Sequence, residues 1–170
     1  MLHQFKNINT IVLDVDGVLT DGTLLVMPGG LMVRRMNIKD GYALQLAVKK
    51  GYHVAIISGG DSPEVKDRLL KLGVTDVYMK VHDKLSVLEE YLLLNGLDAA
   101  HTAYMGDDMP DLPLFEKVGL SCCPKDACMD VLDKAEYISN TNGGEGCVRE
   151  IIEKVMKLQN SWFNDETHRW

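Results

Sequence analysis

The chain has 170 residues, of which 46% are hydrophobic and 25% charged, and its formal net charge is -7 at pH 7. This length and apolar content suit one compact domain over 1–170 and argue against a disordered chain. The negative charge disfavours nucleic acid and anionic membrane surfaces as partners, and no run of about 20 apolar residues predicts a membrane span, so we expect a cytoplasmic protein.

Short apolar runs alternate along the chain with longer stretches of helical periodicity. This pattern is typical of strands buried on both faces and of the helices that cover them. The predicted strands are 11–13, 54–57, 77–79 and 102–105, with two short edge strands at 120–122 and 137–138. The predicted helices are 42–50, 63–72, 84–95, 110–117 and 148–158. We therefore predict an α/β fold built on a doubly wound parallel sheet.

One segment, 23–37, interrupts this alternation, because two β-like arms flank Pro28, Gly29 and Gly30. It predicts a β-hairpin insertion. The arms carry apolar residues that a lone hairpin cannot bury, so we expect them to pack against partner subunits or, alternatively, against their own domain. The tail 160–170 is mostly polar and is expected to be mobile.

Two carboxylates, Asp14 and Asp16, follow the first predicted strand and precede Gly17. Ligands of open parallel sheets bind beyond the carboxyl ends of the strands, which places both carboxylates at the ligand edge. Like charges this close repel each other unless a cation lies between them or one is protonated. Taken alone, the stretch also fits a turn or part of a calcium loop, although Val18 and Leu19 suit the ligand positions of such a loop poorly.

Polar groups follow the second and third predicted strands as well. Ser58 and Gly59 could offer a phosphate group a hydroxyl and a backbone N–H, although a plain strand-to-helix turn would be the favoured explanation if this were the only signal. Lys84 opens the next helix, where it could neutralise a phosphate or be an ordinary surface charge.

Acidic residues return after the fourth predicted strand, at Asp107, Asp108 and Asp111. Carboxylates at a helix N-terminus interact favourably with the helix dipole, which explains one or two of them. Dipole compensation does not explain why acids follow a second buried strand. Parallel strands bring these features to one edge of the sheet, so we expect one site there.

The order of these motifs resembles the haloacid dehalogenase superfamily of phosphotransferases. The segments DGVLTDG at 16–22, NIKDGY at 37–42 and GGEGCVRE at 143–150 narrow the resemblance to the capless branch that contains the 3-deoxy-D-manno-octulosonate 8-phosphate phosphatases. The resemblance implies a Mg²⁺-dependent homotetramer that hydrolyses this sugar phosphate during lipopolysaccharide precursor synthesis. Two alternatives stay open: a phosphatase of a nine-carbon keto-sugar acid 9-phosphate, and a non-catalytic binding or assembly protein that has kept the fold.

The same resemblance implies roles for individual residues. Asp14 is the nucleophile that becomes an aspartyl phosphate, and Asp16 protonates the leaving oxygen and then activates water. Asp14, the Asp16 backbone carbonyl and Asp107 hold Mg²⁺. The transferring phosphoryl group is bound by Asp16, Gly17, Ser58, Gly59 and Lys84. Asp108 and Asp111 orient Lys84 and metal-bound water.

Contacts to the sugar acid are implied for Lys39, Asp40, Gly60, Arg68, Lys71 and Arg149. Each charged residue in this set could instead be ordinary surface charge. The position after Ser58 and Gly59 tends to be glutamate in relatives that act on nine-carbon substrates, so Gly60 favours the octulosonate. Many octulosonate phosphatases carry arginine there, so Gly60 also departs from that pattern. The loop 143–146 is a gate over the substrate or simply a glycine-rich loop before the last helix.

Overall fold

The computed structural model describes residues 2–163. Its strands are Thr10–Leu13 (β1), Leu25–Val26 (β2), Met32–Val33 (β3), His53–Ile57 (β4), Asp76–Tyr78 (β5), Thr102–Met105 (β6), Leu120–Cys123 (β7) and Tyr137–Ile138 (β8). Six of them form one sheet in the order β5-β4-β1-β6-β7-β8, in which every neighbouring pair is parallel. The predicted sheet is therefore confirmed.

The helices of the described residues are Leu2–Asn7 (α1), Ile38–Lys49 (α2), Pro63–Lys71 (α3), Lys84–Asn95 (α4), Leu112–Phe115 (α5), Met129–Leu132 (α6) and Cys147–Leu158 (α7). None of these helices combines the length and the apolarity that crossing a bilayer requires. The helix predicted at 110–117 is instead a 3-10 turn, Met109–Asp111, followed by the single turn of α5. Pro110 and Pro113 lack backbone N–H donors, which limits regular helix here.

The sheet is covered on both faces, and this explains why its strands read as continuous apolar runs. Ile11 and Leu13 of β1 point into one hydrophobic cluster, whereas Val12 between them points into the other. Residues of α1, α2, α3 and α7 complete the first cluster, and residues of α4, α5 and α6 complete the second. The fold is thus a three-layer arrangement with a helical layer on each side.

The predicted hairpin is confirmed as a separate two-stranded antiparallel sheet formed by β2 and β3. The backbone N–H of Met27 donates to the carbonyl of Leu31 at 2.8 Å and closes the turn. An antiparallel bridge between Thr20 and Met36 joins the base of the hairpin to the loop after β1. Apolar side chains remain exposed along both arms, at Leu24, Leu25, Val26, Met27, Leu31, Met32 and Val33.

The described part of the C-terminal tail packs on the domain. Trp162 is only 5% exposed, and its ring meets Tyr42 edge to face with centroids 6.4 Å apart. The packing of Trp162 differs from the mobile tail expected for 160–170. Positions 164–170 lie outside the described residues.

Candidate active site

The strand order creates a crevice at the carboxyl edge of the sheet. Strand β1 pairs with β4 on one side and with β6 on the other, so the direction in which strands are added to the sheet reverses at β1. Such a switch point is where open α/β sheets bind ligands. Asp14 follows β1 and Asp107 follows β6, and the Asp14 N–H donates to the Met105 carbonyl at 3.0 Å. Strand pairing therefore brings the two aspartates together.

The Asp14 carboxylate is buried and accepts two short hydrogen bonds. Lys84 Nζ donates to one oxygen at 2.7 Å, and the Val15 backbone N–H donates to the other at 2.6 Å. Burial raises the pKa of Asp14 to about 6, with a further contribution from the negative charge of Asp111, while Lys84 acts in the opposite direction. The side chain is positioned by its donors and points into a cavity.

Lys84 is the first residue of α4, and its ammonium group lies between two carboxylates. Its Nζ is 2.7 Å from Asp14 and 2.6 Å from Asp111. Burial alone lowers the pKa of an amine, but the two carboxylates outweigh this effect and raise the pKa of Lys84. Lys84 is therefore a buried cation at neutral pH, and Asp111 helps to hold it in place.

Three carboxylates converge without enough positive charge around them. One oxygen from each of Asp14, Asp107 and Asp111 lies within 4.8 Å of the others. Burial and the neighbouring carboxylates of Asp14, Asp111 and Asp108 raise the pKa of Asp107 to about 7. Against these three carboxylates, one ammonium group lies within hydrogen-bond distance, that of Lys84, so the cluster keeps an excess of negative charge. An all-oxygen set of this kind fits a hard divalent cation.

Asp111 has a second function in this cluster. Its Oδ1 accepts from Lys84 and from the buried Tyr104 hydroxyl, each at 2.6 Å. Its Oδ2 accepts the backbone N–H groups of Asp107 at 2.9 Å and Asp108 at 3.3 Å. With four donors already bound, Asp111 is better suited to organising the loop than to ligating an ion, which leaves Asp14 and Asp107 as the stronger candidates.

Glycines allow the carboxylates to approach the backbone. A Cβ atom on Gly17, which has a φ of +81°, would lie 1.9 Å from Asp107 Oδ2. A Cβ atom on Gly106 would lie 2.3 Å from the Asp111 carboxyl carbon. Any side chain at either position would therefore displace an acid of the cluster.

A cavity of about 490 Å³ opens beside these carboxylates. Ten of the predicted site residues line it: Asp14, Asp16, Gly17, Ser58, Gly59, Gly60, Lys84, Asp107, Asp108 and Asp111. Ser58 is buried, and its Oγ accepts the Gly60 N–H at 3.2 Å. The Ser58 and Gly60 carbonyls accept backbone N–H groups of Val81 and Lys80, each at 3.0 Å, which fixes this loop beside Lys84.

Asp108 lies at the edge of the cavity and caps the 3-10 turn. Its side chain accepts the Met109 N–H at 2.8 Å. The contact to Lys84 that we predicted for Asp108 and Asp111 together is made in this structure by Asp111. Capping of this turn thus explains the presence of an acid at position 108, in agreement with our expectation that one or two of these acids stabilise a helix N-terminus.

Most of the predicted sugar contacts lie away from this cavity. Gly60 lines it, whereas Lys39 and Arg149 line another cavity of about 600 Å³ beside α7. Asp40 is buried and accepts the Arg149 backbone N–H at 2.7 Å, and Lys71 pairs with Asp67 at 2.6 Å. A Cβ atom on Gly41 would lie 2.9 Å from Arg68 Nη2, so Arg68 packs beside α2. Within a single chain these five charged residues do not reach Asp14.

The loop before α7 packs against the loop that follows Asp14. The Gly144 N–H donates to the Val18 carbonyl at 2.9 Å, and a Cβ atom on Gly143 would lie 1.9 Å from the Gly17 carbonyl oxygen. The absence of side chains permits this backbone contact. These contacts show how the loop packs, and its role as a gate stays a prediction.

Sequence reasoning missed two side chains of the site. Tyr104 binds Asp111 from within β6, and the alternation of that strand gave no indication of its partner. Arg34 comes from the hairpin and donates two hydrogen bonds to the Asp16 carboxylate, from Nε at 2.7 Å and from Nη2 at 3.0 Å. Nothing in the sequence distinguished Arg34 from Arg35, which instead pairs with Asp21.

A parallel sheet that gathers a buried lysine and an aspartate cluster at its carboxyl edge defines a haloacid dehalogenase-like hydrolase. Residues 69–151 match the model of that family. Over 159 residues the chain is 36% identical to the 3-deoxy-D-manno-octulosonate 8-phosphate phosphatase KdsC of Escherichia coli K12, covering 94% of this chain and 85% of the relative.

Solved structures agree with this assignment. The corresponding phosphatase of Yersinia pestis superposes with a TM-score of 0.92 at 34% identity, over 94% of this chain and 86% of that one. That of Moraxella catarrhalis, solved with a magnesium ion, a phosphate ion and a KDO molecule, superposes with a TM-score of 0.91 at 32% identity, over 95% and 92% of the two chains. The chain belongs to the 3-deoxy-D-manno-octulosonate 8-phosphate phosphatase family.

Proposed function

We propose that this protein is a Mg²⁺-dependent phosphatase that hydrolyses 3-deoxy-D-manno-octulosonate 8-phosphate to the free sugar acid and phosphate, a step in lipopolysaccharide precursor synthesis. The observation that carries the proposal is the convergence of Asp14, Asp107 and Lys84 in one cavity. Membership of the phosphatase family supplies the substrate class. We place the reaction in the cytoplasm, where free thiols such as Cys122 and Cys147 stay reduced.

Mg²⁺ would be held by the carboxylates of Asp14 and Asp107 and, as the family pattern implies, by the Asp16 backbone carbonyl. The fit rests on the excess negative charge of the cluster and on its oxygen donors. When bound, the ion neutralises charge on the carboxylates and on the phosphoryl oxygens. Asp111 then keeps its hydrogen bonds to Lys84 and Tyr104.

In the first step, an Asp14 carboxylate oxygen attacks phosphorus as the bond from phosphorus to the sugar oxygen breaks. Asp16 supplies the proton that the departing sugar oxygen takes. Lys84 and the Ser58 hydroxyl bind phosphoryl oxygens and stabilise the charge that spreads over them in the transition state. The product of this step is an aspartyl phosphate on Asp14.

In the second step, water attacks phosphorus and the bond between Asp14 and phosphorus breaks. Asp16, now a carboxylate, takes the proton of the water, so that Asp14 and Asp16 both return to their starting states. The short segments between the motifs leave no room for a cap that could retain a phosphorylated intermediate for transfer to a second sugar. Water is therefore the proposed acceptor.

We further propose that the protein is a homotetramer in which the hairpins pack together. Seven apolar side chains along the arms are exposed, and an isolated two-stranded ribbon is only marginally stable in water. A neighbouring subunit would cover the cavity of the first. It would also supply the predicted sugar contacts, such as Arg68 and Lys71, that do not reach Asp14 within one chain.

A substrate panel tests the proposed function. Phosphate release in Mg²⁺ is measured with octulosonate 8-phosphate, with a nine-carbon keto-sugar acid 9-phosphate and with neutral sugar phosphates. We expect kcat/KM for the octulosonate to exceed that for the neutral sugar phosphates by at least about tenfold, since the cationic sugar contacts recognise its carboxylate. The nine-carbon acid carries a carboxylate too, and the preference against it is expected because position 60 is glycine and not glutamate. A preference for the nine-carbon compound would reassign the substrate, and no turnover of any compound would favour the non-catalytic alternative.

A further inference from the structure

Arg34 reaches from the hairpin onto the side chain of Asp16. Its Nε donates to Oδ1 at 2.7 Å and its Nη2 donates to Oδ2 at 3.0 Å. Two parallel bonds from a planar guanidinium fix both the position and the plane of a carboxylate, which a single donor does not do. The Asp16 side chain is thus held in one orientation by a different segment of the chain.

The two partners differ in their access to the cavity. The Arg34 side chain is 5% exposed, whereas the Asp16 side chain is 36% exposed and lines the cavity. Arg34 Nη1 also lies 3.4 Å from the Met32 carbonyl, and the bridge between Thr20 and Met36 anchors the base of the hairpin. Arg34 therefore supports Asp16 from behind and does not line the cavity itself.

Gly60 leaves the space that this pair occupies. A Cβ atom at position 60 would lie 2.8 Å from Asp16 Oδ2 and 3.1 Å from Arg34 Nη2. Any side chain there would force the carboxylate or the guanidinium to move. Three segments, the loop after β1, the hairpin and the loop after β4, thus meet at one ion pair.

We propose that Arg34 is a positioning residue that aims the Asp16 carboxyl group at the oxygen of the leaving group. Each Asp16 oxygen has a second lone pair that Arg34 does not use, and the proton for the leaving oxygen is carried there. This inference rests on the proposed function, in which Asp16 protonates that oxygen. A sugar alkoxide leaves poorly and needs the proton, whereas p-nitrophenolate leaves readily without one. Arg34 should therefore matter for sugar phosphates and matter little for the first turnover of p-nitrophenyl phosphate.

The test measures product release in the first turnover, by rapid mixing with excess enzyme in Mg²⁺. For Arg34→Ala we expect release of the sugar to slow by about 10- to 100-fold and release of nitrophenolate to change by less than about threefold. Arg34→Lys should fall between wild type and Arg34→Ala, because an ammonium group cannot form the paired bonds. The matched control is Arg35→Ala, which removes an exposed pair with Asp21 and should leave both rates unchanged.

Equal slowing of both substrates by Arg34→Ala, or no slowing of either, would overturn the proposal. Light scattering on each variant shows whether the assembly is intact, since Arg34 lies next to the hairpin strands. Gly60→Ala provides a second variant, which retains the Arg34 side chain but crowds its ion pair with Asp16, and it should reproduce the selective loss with the sugar phosphate. If the wild type does not prefer octulosonate 8-phosphate, the proposed substrate fails, and the leaving-group contrast is then read with whichever alkyl phosphate the enzyme accepts.

Discussion

Asp14 is ionisable at a place where ionisation is costly. Burial and Asp111 raise its pKa, and Lys84 compensates for only part of that effect. A nucleophile of this kind is destabilised in the free protein, and a bound cation or phosphoryl group relieves the repulsion. The burial of Asp14 and its two charged neighbours, Asp111 and Lys84, therefore explain both why this carboxylate destabilises the fold and why it suits the chemistry that we propose.

Replacing Asp14 with asparagine removes the proposed nucleophile but keeps the size and shape of the side chain. We expect Asp14→Asn to lower turnover by a factor of about 10³ or more, measured as phosphate release. Urea unfolding should show unchanged or higher stability, because one buried charge of the cluster is lost. The control is Glu89→Gln, which affects an exposed pair with Lys117 and should keep full activity. Turnover near the wild-type rate in Asp14→Asn would contradict the assignment.

Asp40 gives a pH-dependent prediction that is independent of the metal cluster. It is buried in the first turn of α2, and its Oδ2 has no hydrogen-bond partner within 2–163. Burial raises the pKa of Asp40 to about 6. A raised pKa in the folded state stabilises the fold below the unfolded pKa of about 3.8, and this stabilisation is lost as the pH rises through about 6.

Asp40→Asn should therefore remove part of the pH dependence of stability. Between pH 4 and pH 8 we expect the free energy of unfolding of the wild type to fall by about 2.4 kcal/mol more than that of the variant. Urea denaturation of both proteins across this range measures the difference. Parallel pH profiles would show that the Asp40 pKa is not raised.

At the scale of elements, the hairpin is the part of the fold that one chain leaves incomplete. Its strands expose Leu25, Val26, Met32 and Val33, whereas the strands of the main sheet are covered on both faces. The hairpin also bears Arg34 at its C-terminal end, next to Asp16. In the proposed tetramer, assembly and catalysis would thus be connected through the same short insertion.

Placing a charge on the hairpin should separate the subunits. Leu25 is 63% exposed in one chain, so Leu25→Glu should fold normally but lose assembly, because burying a carboxylate in an apolar interface is costly. We expect light scattering to report monomers and kcat/KM for the sugar phosphate to fall by about tenfold or more. Leu93→Glu is the matched control, since Leu93 is 81% exposed on α4. A wild-type protein that is itself monomeric at micromolar concentration would refute the shared site.

For the molecule as a whole, metal binding and stability should depend on pH in opposite ways. The pKa values of Asp14 and Asp107, about 6 and about 7, are raised in the folded state. Without metal, the stability from these groups is complete below their unfolded values and is lost as the pH rises through 6 and 7. Mg²⁺ competes with the same protons, so its affinity should increase over that range.

We expect the dissociation constant for Mg²⁺ to be at least about tenfold weaker at pH 5.5 than at pH 7.5. Calorimetry in buffers of different ionisation enthalpy should also detect proton release on binding. In thermal melts, Mg²⁺ should raise the Tm more at pH 7.5 than at pH 5.5. Affinity that is independent of pH would contradict the joint claim that Asp14 and Asp107 bind the ion and have raised pKa values in the free protein.

The hydrophobic pattern of the sequence predicted the bounds of strands that are buried on both faces and of helices that are capped by a neighbouring side chain. Thr102–Met105 and Lys84–Asn95 have the predicted bounds. The short helix α1 was missed, because six residues give little helical periodicity. Helix α2 begins earlier than predicted, at Ile38, because Asn37 caps it by accepting the Lys39 N–H at 2.8 Å.

The parallel sheet, the hairpin and the group of acids and lysine at one edge could all be predicted from the sequence. Strand ends and buried apolar runs are local features, and parallel pairing places the strand ends at one edge of the sheet. The side chains that support that group could be identified from the folded structure alone. Tyr104 on Asp111 and Arg34 on Asp16 are contacts between different elements. Arg34 lies 18 residues from its partner, and no periodicity encodes such a pairing, since it depends on where the hairpin folds back over the cavity.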